Sequence, residues 1–378
     1  MVSIGSWQIG RWQPGNSVLT AQLLDALARP GCPLCRVETI TTGHHLEALL
    51  DERVTLPDSH HALLASRGFC GEHTWALPPA ALAAQSSRGA ALLYAPLLLD
   101  LLRHWIDPGG PQRWFAPDAP CPLCRILVGT APAYRAELAH LLRQGADDAR
   151  ATGLCLPHLR LMTPHVEARI AATLEASAER ARAEGNAHAR LALLVGAPPS
   201  PLPAEQGCPV CAAAAAAARA TTEATGRCRA HTWARFAEDH TVPEPAGTDR
   251  VDMASGDRGA GGCPACRAAA SATDAALATR QPAYRLCLGH LAQSFGRDWL
   301  EPDLAFWSLV QLQRDLTRYI DGGKATFTGT LTAAERRSWL TALARFGGEV
   351  PGAGLTPAGA SIPSRWFRWR SQHDPVAV

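Results

Sequence analysis

Cys32-Pro33-Leu34-Cys35 and, further along, Cys70-Gly71-Glu72-His73 decide how this chain is read. The first stretch sets two thiols two residues apart, with a proline after the leading cysteine. The second sets an imidazole three positions after a thiol. The same Cys-Pro-x-Cys, Cys-x-x-His succession recurs as Cys121/Cys124 with Cys155/His158, as Cys208/Cys211 with Cys228/His231, and as Cys263/Cys266 with Cys287/His290. Together the four copies use all 12 cysteines of the chain. A disulfide framework gives no reason for the recurring histidine. A tetrahedral ion does, because three thiolates and one imidazole close a four-ligand shell around zinc. Proline after the first cysteine fixes φ and removes a competing amide. The expectation is four zinc ions. An iron–sulfur cluster is the weaker reading, since such clusters more often use four cysteines.

The ligand pairs of each copy are separated by 34, 30, 16 and 20 residues in turn. A loop of 16 residues closes without tertiary help, which favours neighbouring pairs sharing an ion. The competing arrangement is a cross-brace that joins one Cys-x-x-Cys to the next and leaves sites of two cysteines and two histidines. Loop-closure entropy depends only weakly on length and does not choose between them. A second period overlies the first. His73-Thr74-Trp75 matches His231-Thr232-Trp233, and Cys155-Leu156-Pro157-His158-Leu159 matches Cys287-Leu288-Gly289-His290-Leu291. A two-module unit duplicated once accounts for both periods.

Cys32-Pro33-Leu34-Cys35-Arg36 followed by Arg67-Gly68-Phe69-Cys70-Gly71-Glu72-His73 resembles an uncharacterised bacterial family of cysteine-rich proteins that carry a CPxC and, some tens of residues on, a GFCxxH. Cys121 to His158 is a weaker copy of that pattern. The third and fourth copies depart from it, with short inserts and no Gly-Phe before the third cysteine. The resemblance implies metal binding and a helical build, and no established activity.

The segments between ligands carry helical periodicity. Leu46, Leu49 and Leu50 follow Cys35 at helical spacing, and Pro57 to Ser66 suggests a short second helix. Ala212 to Ala218 favours helix by propensity and offers little area to bury. Thr163-Pro164 is a helix start for a long segment towards Val195. Thr332 with Glu335 forms a capping box, after which Trp339, Leu340, Leu343 and Phe346 share one face and Gly347 ends it. The predicted class is all-α, with four zinc-knuckle modules joined by helices. Breaks rich in proline and glycine (107–120, 196–207 and 242–262) divide the chain into 1–106, 107–196, 197–241, 242–346 and a tail, 347–378.

Of the 378 residues 47% are hydrophobic and 19% charged, so a core is available, and the net charge of +2 gives no whole-molecule pull towards nucleic acid. Met1 to Trp7 has neither a basic start nor an apolar run, and the most apolar stretch, Ala90 to Leu102, is interrupted by Pro96 and Asp100. The expectation is a cytoplasmic protein, where thiols stay reduced and serve as ligands.

A closed ligand shell points to structural rather than catalytic zinc. The motifs HExxH, GxSxG and GxGxxG are absent, and Gly322-Gly323-Lys324-Ala325 lacks the remainder of a phosphate loop. His44, His45, His60 and His61 read as solvated helix positions. Arg365-Trp366-Phe367-Arg368-Trp369-Arg370 interleaves cations with rings and is the candidate partner-binding segment. The reading is therefore a non-enzymatic, zinc-stabilised scaffold or adaptor for a protein partner. Its alternatives are a nucleic-acid-binding zinc protein using the tail, and a thiol redox sensor that releases zinc on oxidation. For the tail itself, docking of its rings back onto the body, beside Trp7 and Trp12, stands ahead of a partner or nucleic acid, and a membrane surface comes last.

Overall fold

The computed structural model describes residues 17–29, 31–107, 110–144, 153–195, 208–221, 232, 233, 236 and 263–347. Within them the chain is helical, and no strand occurs among the described residues. In chain order the helices are α1 (Ser17–Leu27), α2 (Pro33–Asp51), α3 (Pro57–Ser66), α4 (Gly71–Ala83), α5 (Ser87–Ile106), α6 (Pro122–Arg143) and α7 (Leu156–Met162). Then come α8 (Ala168–Glu184), α9 (Ala187–Val195), α10 (Pro209–Ala220), α11 (Pro264–Leu277), α12 (Leu288–Ser294), α13 (Pro302–Asp321) and α14 (Ala333–Gly347).

Seven of these helices begin at a ligand motif, and in each the leading cysteine is the N-cap: Cys32, Cys70, Cys121, Cys155, Cys208, Cys263 and Cys287. The three-residue offset between ligands is therefore the offset between N-cap and N3. These are the two positions whose side chains meet over the free amides of the first turn. The proline of Cys-Pro-x-Cys falls at N1, where its missing N–H is no loss. In α11 the N-cap interaction is formed by sulfur, with the Cys266 amide donating to Cys263 Sγ at 3.4 Å.

The principal core runs along α5, whose central residues Ala90, Ala91, Leu93, Tyr94, Leu97, Leu98 and Leu101 are all buried. The apolar run Ala90 to Leu102 is thus the middle of a core helix. Among the described residues no helix is long and apolar enough to cross a membrane. Around α5 pack α3, α4, α13 and α14, so the C-terminal helices lie on the helices that follow the first ligand pair. A second core joins α1, the start of α2, the end of α6 and the segment from Leu154 through α8. Trp233 and Phe236 pack with Leu191 and Leu194 of α9 in a small third group. The pair α10 and α11 is held by Ala218, Ala265 and Ala269 around Cys263.

Two local features position the ligands of the first half. α3 ends at Arg67, in the left-handed region, and the following Gly68 has φ +98° with its amide donating to Leu63 O at 2.8 Å. That turn drops Phe69 into the core and delivers Cys70 to the start of α4. At Gly153 the chain passes so close to Gly31 that a Cβ would sit 2.4 Å from the Gly31 carbonyl oxygen. Only glycine permits the backbones leading to Cys155 and Cys32 to approach in this way.

One helix differs from the sequence reading. Thr163–His165 is a short 3-10 turn, α8 starts only at Ala168, and the segment breaks at Gly185 before α9. At Gly185 a Cβ would lie 2.9 Å from Ala181 O, so this glycine is where the chain turns tightly. The capping box is present in both directions. The Thr332 amide donates to Glu335 Oε2 at 2.6 Å, and the Glu335 amide donates to Thr332 Oγ1 at 3.1 Å.

Candidate metal centres

The helix starts converge in pairs. The first cluster joins Cys32 and Cys35, at the start of α2, to Cys155 and His158, at the start of α7. In the second, Cys70 and His73 of α4 meet Cys121 and Cys124 of α6. The third brings Cys208 and Cys211 of α10 to Cys287 and His290 of α12. Every cluster holds three sulfurs and one imidazole, with the ligating atoms within 4.8 Å of one another.

This arrangement corrects two expectations. Four clusters were expected, one per module, with four zinc ions; three are present among the described residues. Cys228 and His231 lie outside the described residues, and Cys263 and Cys266 belong to none of the three clusters. Neighbouring pairs were expected to share an ion, but each cluster takes its Cys-Pro-x-Cys from one module and its Cys-x-x-His from another. Nor is this the cross-brace of two cysteines with two histidines. It is a nested pairing, in which the span from Cys35 to Cys155 encloses the span from His73 to Cys121. The physical reason lies in the helices. From Cys35 to its end at Asp51, α2 carries the chain about 24 Å away at about 1.5 Å per residue. Lengthening the closed loop from tens of residues to more than a hundred costs only about 1 kcal/mol. Packing of a few leucines outweighs that.

The distances fit a single ion. Zinc bonds of about 2.3 Å to sulfur and about 2.0 Å to nitrogen at tetrahedral angles place sulfurs about 3.8 Å apart and sulfur about 3.5 Å from nitrogen. In the first cluster Cys35 and Cys155 are 3.6 Å apart, and His158 Nδ1 lies 3.4, 3.3 and 3.2 Å from Cys32, Cys35 and Cys155. In the second, Cys70 and Cys124 are 3.6 Å apart, with His73 Nδ1 3.3, 3.5 and 3.4 Å from Cys70, Cys121 and Cys124. In the third, Cys211 and Cys287 are 3.7 Å apart, and His290 Nδ1 lies 3.4, 3.3 and 3.3 Å from Cys208, Cys211 and Cys287. Sulfurs at these separations are not disulfides, and none of these cysteines forms one. They are also too close together to surround a cluster of several irons, which would spread its ligands apart.

The donors behave as groups competing for too few protons. Cys35, Cys121 and Cys208 are held far below the usual thiol range by hydrogen bonds from neighbouring cysteines, whereas Cys155, Cys124 and Cys211 are driven far above it by the same contacts. Burial works against a charged imidazole, yet hydrogen bonds to the sulfurs raise His73 and His290 to about 10 and His158 to about 12. A divalent cation would replace those shared protons. The N-termini of α2, α4, α6 and α10 add their dipoles in favour of thiolate.

The surroundings of the clusters differ. His158 turns its Nε2 to Glu38 Oε1 at 3.2 Å, a carboxylate that fixes the ring with Nδ1 towards the sulfurs. Beside the third cluster, burial lowers the Arg345 guanidinium to about 10 while Cys287 and Cys208 pull it back up. The second cluster is the most open, with both Cys70 and Cys124 partly exposed. Sequence reasoning missed Glu38 and Arg345. Glu38 stands three residues after Cys35 on the same helix face, a spacing that could have marked it. Nothing local marks Arg345.

His44 and His61 are exposed and His45 and His60 half-buried, and none joins a cluster. The candidate partner-binding residues Arg365 to Arg370 lie outside the described residues. Comparison of the chain with protein-family models, curated proteins and solved structures finds no match.

Proposed function

We propose that this protein is a non-enzymatic helical scaffold whose helices are tied together by structural zinc, and that it presents a surface to a protein partner. One observation carries the reading: each of three sulfur–imidazole sets is complete at four donors spaced for one ion. A shell closed by protein donors has no position for water or substrate, which is the arrangement of a structural site. Three thiolates with a neutral imidazole suit zinc's borderline-soft character. Each ion would join two helix starts distant in sequence, so binding energy becomes folding energy. A surface for the partner is offered by α13, where Leu304 and Trp307 stand one turn apart, 49% and 63% exposed. Zinc content by elemental mass spectrometry tests the metal, and capture of one defined protein that Trp307→Ala abolishes tests the surface. Protein purified without zinc yet fully folded would end the reading.

The openness of the second cluster favours a second reading, a thiol redox sensor. Cys70 and Cys124 are partly exposed at 3.6 Å. Their two thiolates and one hydroperoxide, with two protons, would give a disulfide, an alcohol and water, and free the ion. Zinc retained under mild peroxide would count against it.

A further inference from the structure

Arg345, in the last turn of α14, is 8% exposed. A buried guanidinium is costly unless an opposite charge lies close. Yet no carboxylate pairs with it among the described residues. Its Nη1 donates to Leu286 O, and its Nη2 donates to Tyr284 O and, at 3.2 Å, to Ser308 Oγ. These acceptors are neutral. The negative charge nearby belongs to the third cluster, since Leu286, whose carbonyl Arg345 holds, directly precedes the ligand Cys287, and Cys287 and Cys208 favour the charged guanidinium. Three thiolates around a divalent cation leave one net negative charge.

Resting on the metal-site reading above, we infer that Arg345 is the internal counter-ion of the third cluster, a positioning residue that balances its charge and holds the carbonyls leading into Cys287. The pairing explains both halves of the observation. A cation sits in the protein interior with no carboxylate beside it among the described residues, and a cluster that would be anionic with its ion bound sits there with three sulfurs that are all buried. It also reaches across the sequence. α14 packs on α4 and α5, and a Cβ at its final residue, Gly347, would meet Thr74 Cγ2 at 2.7 Å, immediately after the ligand His73. Arg345 therefore secures α14 to a metal centre of the second half while the rest of that turn rests on the first. Zinc at the third cluster would hold the C-terminal helix in place.

The test is zinc release from the full-length protein to a colorimetric chelator, for the unmutated chain and for Arg345→Met, Arg345→Gln and Arg345→Lys. The expected result is that one ion becomes about tenfold easier to remove in the Met and Gln variants, in keeping with losses of outer contacts at metal sites. Lys, which keeps the charge but not the forked hydrogen bonds, should restore most of the difference. Ions that remain bound certify that a variant is folded, and Gln serves if Met does not fold. With Cys208→Ser and Cys287→Ser in place, Arg345→Met should leave the remaining ions unchanged. Equal weakening by Lys and Met would reduce Arg345 to a tether, and unchanged release in all variants would remove it from the site; either overturns the inference. An unmutated chain holding no zinc would instead bring down the scaffold reading on which it rests.

Discussion

The helices around α5 and the pair α10–α11 solve the same problem with different materials. α5 presents Leu93, Tyr94, Leu97, Leu98 and Leu101 to its neighbours, each nearly inaccessible. Each such leucine contributes about 1.5–3 kcal/mol on burial. α10 and α11 meet through Ala214, Ala218, Ala265 and Ala269, whose methyl groups contribute about 0.8 kcal/mol apiece. Both regions have ligand-bearing helix starts, but the leucine burial is concentrated around α5, and α10 and α11 reach that core only through Val210, Leu277 and the ligand cysteines. On the reading proposed above, the clusters of one chain would be structural to unequal degrees, according to how much apolar area the helices they start pack against one another.

The largest effect that would break this comparison is at the third cluster. Cys208→Ser with Cys287→Ser should abolish hydrogen-exchange protection over 209–220 and 264–277, while α5 remains protected. Cys70→Ser with Cys124→Ser should cost stability but leave slow exchange in the middle of α5. Equal loss of protection in both variants would mean that leucine burial does not distinguish the regions. Next in size is Gly153→Ala. Its Cβ has no room beside Gly31 O, and relieving the clash should cost about 1–3 kcal/mol and loosen zinc at the first cluster alone. Thermal unfolding with zinc competition reads both.

Glu38→Gln should weaken zinc at the first cluster about tenfold without altering the others, because the ring of His158 loses its carboxylate. A uniform change across all ions would contradict that assignment. Smallest is Thr332→Ala, which removes the side-chain acceptor for the Glu335 amide. A loss of about 1 kcal/mol in chemical denaturation is expected, with zinc content unchanged.

The recurring cysteine–histidine groups and the helical segments after them were legible in the sequence because both are local. Proline after cysteine, the three-residue offset, the leucines after Cys35 and the Thr332–Glu335 box all act within one or two turns. The pairing was not legible. Which helix start faces which other is decided by packing between segments tens of residues apart, and the entropic preference for neighbours is too small to prevail. Arg345 was illegible for the same reason, since it meets Leu286 from a helix that begins well downstream. The break at Gly185 is a local signal overridden in the reading by a plausible start at Thr163-Pro164.

Nested pairing is the claim on which the rest depends, and zinc counting by native mass spectrometry of Cys32→Ser with Cys155→Ser tests it directly. Those cysteines belong to different modules but to one cluster, so the double variant should hold one ion fewer than the unmutated protein. A loss of two ions would show that each cysteine serves a different site and would contradict the account.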